Sequence, residues 1–138
     1  LADVLIIDDD IDIAEVLGEM MRAEGHEVRV GYDGEEGLRL ARERLPDVAL
    51  LDVEMPLLGG PAMAYQMYVR DHGLESVPVV LLSGVVNLEE VARQVGTPYF
   101  MAKPYRHHPV VALVRRALSE RIAPLPPEYR APTAHAEL

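Results

Sequence analysis

Four short apolar runs, Val4 to Ile7, Val48 to Leu51, Val79 to Leu82 and Tyr99 to Ala102, constrain the fold of this chain more than any other feature. None alternates with polar residues, so each reads as a strand covered on both faces. Such strands belong to parallel sheets, whose crossovers lay helices on either side. The intervening segments supply those helices. Ile13, Leu17, Met20 and Met21 recur at helical spacing to about Glu24, and Gly25 suits the residue just past a helix end. A short strand from Glu27 to Val30 leads to Asp33 and Glu36, spaced as a capping box for a helix that carries Leu38, Ala41 and Leu45 and stops before Pro46. Pro61 suits the first turn of a third helix, through Met63, Met67 and Tyr68 to about Asp71. Pro78 introduces the third run, Leu88 to Val95 form a fourth helix ended by Gly96, and Pro98 introduces the fourth run. Pro109 opens a last helix with Val110, Leu113, Val114, Ala117 and Leu118 on one side, ending near Arg121. Five strands and five helices in strict alternation predict an α/β doubly wound parallel sheet. From Ala123 onward neither period persists. Pro124, Pro126, Pro127 and Pro132 mark residues 122–138 as a Pro-rich tail or linker remnant after a domain spanning 1–121.

The residues at the ends of the apolar runs narrow the chemistry. The first run ends in Asp8, Asp9 and Asp10, the second in Asp52, the third in Ser83 and the fourth in Lys103-Pro104. In an open parallel sheet, ligands bind outside the carboxyl ends of the strands. Carboxylates crowded there repel one another and call for a hard divalent cation such as Mg2+, which takes oxygen ligands and bridges them to phosphate. A dinucleotide site would need a Gly-rich turn after the first strand, where this chain has three acids, and no GxxxxGK phosphate loop is present. The chemistry left is phosphoryl transfer to a carboxylate, with Asp52 the best-placed acceptor.

Composition removes other classes. At 138 residues the chain makes one domain of ordinary size. Hydrophobic residues at 49% and charged residues at 26% argue against disorder of the whole, and the lack of cysteine excludes disulfides and thiolate metal sites. With 13 basic against 23 acidic residues the net charge is −10, which argues against direct nucleic-acid binding. The longest apolar stretch, Val77 to Val86, is broken by Pro78, Ser83 and Gly84 and cannot span a bilayer. No charged n-region with an apolar h-region opens the chain.

The chain resembles the receiver domain of two-component response regulators, from about Asp3 to about Arg121. The residues that carry the likeness are Val4-Leu5-Ile6-Ile7-Asp8-Asp9-Asp10, Leu51-Asp52-Val53-Glu54-Met55-Pro56, Leu81-Leu82-Ser83-Gly84 and Lys103-Pro104. Each motif alone is weak; four in register are specific. The resemblance implies a flavodoxin-like (βα)5 fold of the chemotaxis-regulator kind, with strand order 2-1-3-4-5. It implies that Asp52 accepts a phosphoryl group from a sensor histidine kinase or phosphotransfer protein. Asp9 would be the main carboxylate ligand of Mg2+, Asp8 would hold the ion through a water, and Asp52 and the Glu54 backbone carbonyl would complete the protein's ligands. Ser83 and Lys103 would hold phosphoryl oxygens. Ser83, Phe100 and Pro104, the last after a cis peptide, would form the switch. The output would be a changed binding face made by the fourth helix, last strand and last helix, including Arg93, Phe100 and Arg115, that engages a downstream protein or a second copy. Such a domain is not a conventional enzyme; it catalyses its own phosphorylation and dephosphorylation, in the cytoplasm, with no membrane contact.

Departures from the family pattern fall in two places. Gly59-Gly60 stands where an Asp precedes the loop glycine, and the segment from Ser83 to Lys103 is shorter than usual, with Thr97-Pro98 before the last strand. Two other classes stay open. A phosphatase of the haloacid dehalogenase type would use a strand-end Asp nucleophile with a general-acid Asp two residues later, a spacing that Asp8 and Asp10 share. A receiver-shaped module that works without phosphate would bind its partner equally after Asp52→Asn. Blander roles fit several residues: Asp10 as cap of the first helix, Met55, Met63 and Met67 as packing, and His107 and His108 as solvated neighbours too divergent for a metal pair. Glu35, Glu36, Glu89 and Glu90 read as first-turn acids that complement helix dipoles.

Overall fold

The computed structural model describes residues 1–52, 60–69, 72–104 and 106–126. In chain order its elements are β1 (Asp3–Ile7), α1 (Ile11–Ala23), β2 (Glu27–Gly31), α2 (Gly34–Glu43), β3 (Val48–Leu51), α3 (Gly60–Val69), a 3-10 turn (His72–Ser76), β4 (Val79–Ser83), α4 (Leu88–Val95), β5 (Tyr99–Ala102) and α5 (His107–Glu120). The sheet is parallel throughout, in the order β2-β1-β3-β4-β5.

Strand alternation sorts the core into two layers. Leu5, Ile7, Ala49, Leu51, Val79 and Leu81 face the helices α2, α3 and α4, where they meet Leu38, Met63, Met67, Leu88 and Val95. Val4, Ile6, Val48, Leu50, Val80, Leu82 and Tyr99 face α1 and α5, where they meet Leu17, Met21, Val110 and Val114. Both layers are needed because β1, β3 and β4 are apolar on both sides, and neither side tolerates water.

Caps set the starts of α1 and α2 and the ends of α1 and α4 where the spacing placed them. Asp10 takes the N-cap of α1 and its carboxylate accepts from Ile13 N–H at 3.2 Å. Asp33 does the same for α2, accepting from Glu36 N–H at 2.8 Å, while Glu36 Oε1 accepts from Tyr32 N–H at 2.7 Å, one residue ahead of the reciprocal partner of a capping box. Gly25 and Gly96 end α1 and α4 with φ of 93° and 86°. At Gly37 the close approach of α2 to β1 leaves no room, since a Cβ there would lie 2.6 Å from Ile7 Cδ1.

Three expectations shift. Leu45 lies past the end of α2 and is 46% exposed, because the helix ends at Glu43 and the chain turns extended at Arg44. Helix α5 begins at His107, two residues before Pro109, which fits within a first turn whose N–H groups lack helical acceptors. The 3-10 turn before β4 left no period to read. Val53 to Gly59, hence Glu54, Met55 and the Gly59 departure, lie outside the described residues, as does Asp71.

Candidate functional site

The carboxyl edge of the sheet gathers the strand-end acids, the serine and the lysine by simple register. Ile7 of β1 pairs with Leu51 of β3, so Asp8 and Asp52, each one step on, stand side by side. Both remain tied to the ladder: Asp8 N–H donates to Gly31 O at 3.1 Å and Asp52 N–H to Ile7 O at 3.0 Å. Lys103 is held the same way, its N–H donating to Ser83 O at 2.9 Å. The candidate residues Asp8, Asp52 and Lys103 therefore follow directly on strand ends, their backbones still hydrogen-bonded to the ladder.

Asp8 and Asp52 are nearly buried, 2% and 6% exposed, whereas Asp9 is exposed. Carboxylate oxygens of Asp8, Asp9 and Asp52 lie within 4.8 Å of one another. Lys103 reaches in from β5, with Nζ 3.2 Å from Asp8 Oδ2 and 3.4 Å from Asp52 Oδ2. Burial pushes the Asp8 carboxyl above its ordinary range; the Asp10 N–H and the Lys103 ammonium oppose that shift, and the Asp52 charge reinforces it. Burial alone would lower the Lys103 ammonium, but the charges of Asp52 and Asp8 and hydrogen bonds to both outweigh it and raise it. Lys103 is therefore charged at neutral pH, and it shares one positive charge between two buried carboxylates.

A divalent cation fits this donor set: hard oxygens converge, those of Asp8 and Asp52 buried, and the Lys103 ammonium is shared between two of the three carboxylates. Asp8, Asp9 and Asp52 are the residues that would hold it. Ser83 is fully buried, with its hydroxyl accepting from Val85 N–H at 3.3 Å. Phe100 pairs in register with Leu81 and packs from the α4 side, half-buried. The Lys103-Pro104 peptide is cis.

Asp10 takes no part in the cluster. Its carboxylate faces the α1 backbone as a cap, so the general acid that a haloacid dehalogenase requires is missing from that position. His107 and His108 are exposed, with ring planes 74° apart, and form no metal pair.

Sequence reasoning missed two features here. One is the direct pairing of Lys103 with Asp8, which no local pattern encodes. The other is an open apolar groove of about 530 Å³ beside Lys103, lined by Asp12, Ile13, Val16, Met20 and Pro104. Its signal was present: Val16 is an apolar residue on the solvent side of α1, 51% exposed.

The response regulator receiver domain family matches residues 4–115. The transcriptional regulatory protein PrrA of Mycobacterium tuberculosis is 33% identical over 120 residues, 86% of this chain and 50% of PrrA. The DNA-binding response regulator MtrA of Mycobacterium leprae is 32% identical over 117 residues, 83% of this chain and 50% of MtrA. The chain thus spans about half the length of these regulators. Among solved structures, the receiver domain of NtrX from Brucella abortus superposes with a TM-score of 0.75 at 30% identity, covering 85% of this chain and 98% of that one. The matched stretch runs through the strand ends that carry the acids, the serine and the lysine, and the strand order is the one such domains require. The chain belongs to the response regulator receiver domain family.

Proposed function

We propose that the domain accepts a phosphoryl group on Asp52 from the phosphohistidine of a sensor histidine kinase or phosphotransfer protein and responds by changing a binding face. The observation that carries this reading is the Lys103 ammonium, 3.4 Å from the Asp52 carboxylate and 3.2 Å from Asp8 at the mouth of a parallel sheet. A carboxylate oxygen of Asp52 attacks phosphorus, the P–N bond of the donor breaks, and the imidazole leaves. Lys103 then moves its ammonium from carboxylate to phosphoryl oxygen, and the Ser83 hydroxyl takes another. Mg2+, held by Asp8, Asp9, Asp52 and the Glu54 carbonyl, would neutralise charge on the transferring group. Attack of water at phosphorus returns the Asp52 carboxylate and releases phosphate. Glu54, two residues past the acceptor, would tune that step; an acyl-phosphate lifetime unaltered by Glu54→Ala would end this part of the reading.

The apolar groove beside Lys103 supports docking of the donor next to the acceptor. Val16→Asp, at an exposed position, should slow transfer from a protein donor tenfold or more while leaving labelling by acetyl phosphate unchanged. The receiver unit would end near Arg121, with 122–138 appended, and the output face would comprise α4, β5 and α5, with Phe100 and Pro104 in the switch. The reading assigns the domain to the cytoplasm, with no membrane or direct nucleic-acid contact by this chain. Among the described residues no helix is long and apolar enough to cross a membrane.

The test is intact mass after incubation with acetyl phosphate, with and without Mg2+. A Mg2+-dependent gain of one phosphoryl group in wild type, absent from Asp52→Asn, is the expected result. No gain in a folded protein offered acetyl phosphate and a cognate kinase would leave a phosphate-independent module.

A further inference from the structure

Helix α5 does not simply release the chain. Arg121, with φ 56° and ψ 42°, takes the left-handed conformation that non-glycine residues rarely adopt, and it turns the backbone back toward the sheet. Ile122 N–H then donates to the Tyr99 hydroxyl at 3.4 Å, and that hydroxyl donates to Glu120 Oε1 at 2.9 Å. Three residues further, Leu125 N–H donates to Gly96 O at 3.1 Å. Pro124 and Pro126 are buried while Ile122 and Leu125 are 47% and 54% exposed, so the segment presents alternate residues to the protein like a strand.

The receiving end is the corner between α4 and β5. Gly96 ends α4, its N–H donating to Ala92 O at 2.8 Å, and its carbonyl is the group that Leu125 engages. A Cβ at Gly96 would collide with the Leu125 backbone. Gly25 plays the same part at the end of α1, yet a Cβ there would meet only the flexible end of Leu1 at 3.0 Å. Thr97, the next residue, donates from Oγ1 to Val79 O at 2.6 Å. The corner is thereby fastened to β4 on one side and to the returning chain on the other.

We propose that Ile122 to Pro126 form a strap that ties the C-terminal end of α4 to β5, so that the position of this strap and that of α4 are coupled. The proposal goes beyond phosphoryl chemistry at Asp52 and does not depend on it. A displacement of α4 pulls on the carbonyl of Gly96 and hence on Leu125, and a displacement of Leu125 acts on α4 by the same bond.

The test uses the full 138-residue chain. A strap variant replaces Pro124→Gly, Leu125→Ser and Pro126→Gly, and is combined with Gly96→Ala in a double-mutant cycle read by urea unfolding, with Gly25→Ala as the control for left-handed strain. Gly96→Ala should lower the folding equilibrium constant at least tenfold more than Gly25→Ala, and that excess should vanish in the strap variant. Amide hydrogen exchange at Gly96 and Thr97 should be at least fivefold faster in the strap variant, with β1 unchanged. Leu125→Pro, which removes the N–H donor together with the exposed leucine side chain and fixes the local φ, should show the same exchange pattern if Gly96→Ala does not fold. Equal effects of Gly96→Ala with and without the strap, or unaltered exchange at Gly96 and Thr97 in both strap-directed variants, would overturn the proposal.

Discussion

Among the described residues, one ammonium at the carboxyl edge of the sheet sits among three clustered carboxylates. Burial keeps the Asp8 carboxyl above its ordinary range, and the Lys103 ammonium, shared with Asp52, offsets that shift only in part. On the metal reading, Mg2+ should raise the melting temperature of wild type, with a stabilisation of about 1.4 kcal/mol at ten times the dissociation constant. Asp9→Asn should lose most of that rise, and a wild-type melt indifferent to Mg2+ would count against the site. A second residue reports pH. His26 Nδ1 accepts from Ala2 N–H at 3.0 Å, and burial holds its pKa below the ordinary value. The unfolded chain takes up this proton near pH of about 6.5 and the native chain only at lower pH, so stability is lost as pH falls through the unfolded value. The urea midpoint should drop between neutral and mildly acid pH, and His26→Gln should flatten part of that slope.

At the scale of elements, caps and close approaches decide what substitution does. Asp33 caps α2, and Asp33→Ala should cost about 1 kcal/mol in urea unfolding. Gly37 is the sharper case. Helix propensity favours alanine over glycine by about 1 kcal/mol, yet the added Cβ would lie 2.6 Å and 2.7 Å from Ile7 Cδ1 and Cγ1. Ile7 is fully buried and cannot yield, so overpacking by about 1–3 kcal/mol should win and Gly37→Ala should destabilise. Apolar spacing and caps made α1, α2 and α4 legible because both are local signals. Spacing could not tell that Leu45 lies past the end of α2, since an apolar residue in phase with a helix looks the same whether or not the helix reaches it. Nor could it separate His107 from a loop, because only the N–H count of the first turn favours Pro109 inside the helix.

Across the whole molecule, the proposed function has a change at the carboxyl edge read on the α4, β5 and α5 surface. Phe100 and Arg93 line one side of it. Arg115 does not: it pairs with Glu24 at 2.5 Å, across to the end of α1, while Arg116 stands over the Tyr99 ring at 5.0 Å and pairs with Glu120. Adjacent helical residues diverge by about 100°, which is why two arginines in sequence serve different faces. A phosphoryl mimic such as beryllofluoride with Mg2+ should shift amide signals of α4 and β5 or change the oligomeric mass, and Asp52→Asn should abolish both effects. The amino-acid sequence by itself determined the parallel sheet and which residues stand at its strand ends. Unbroken apolar runs admit few other arrangements, and each run hands its chemistry to the next residue in the chain. Only the tertiary structure decided that Lys103 pairs with both Asp8 and Asp52, that Arg115 turns to α1, and that Leu125 closes on Gly96. Those contacts join residues far apart in the chain, and the free energy of such a pairing depends on the packing that brings its partners together, which leaves no period in the sequence.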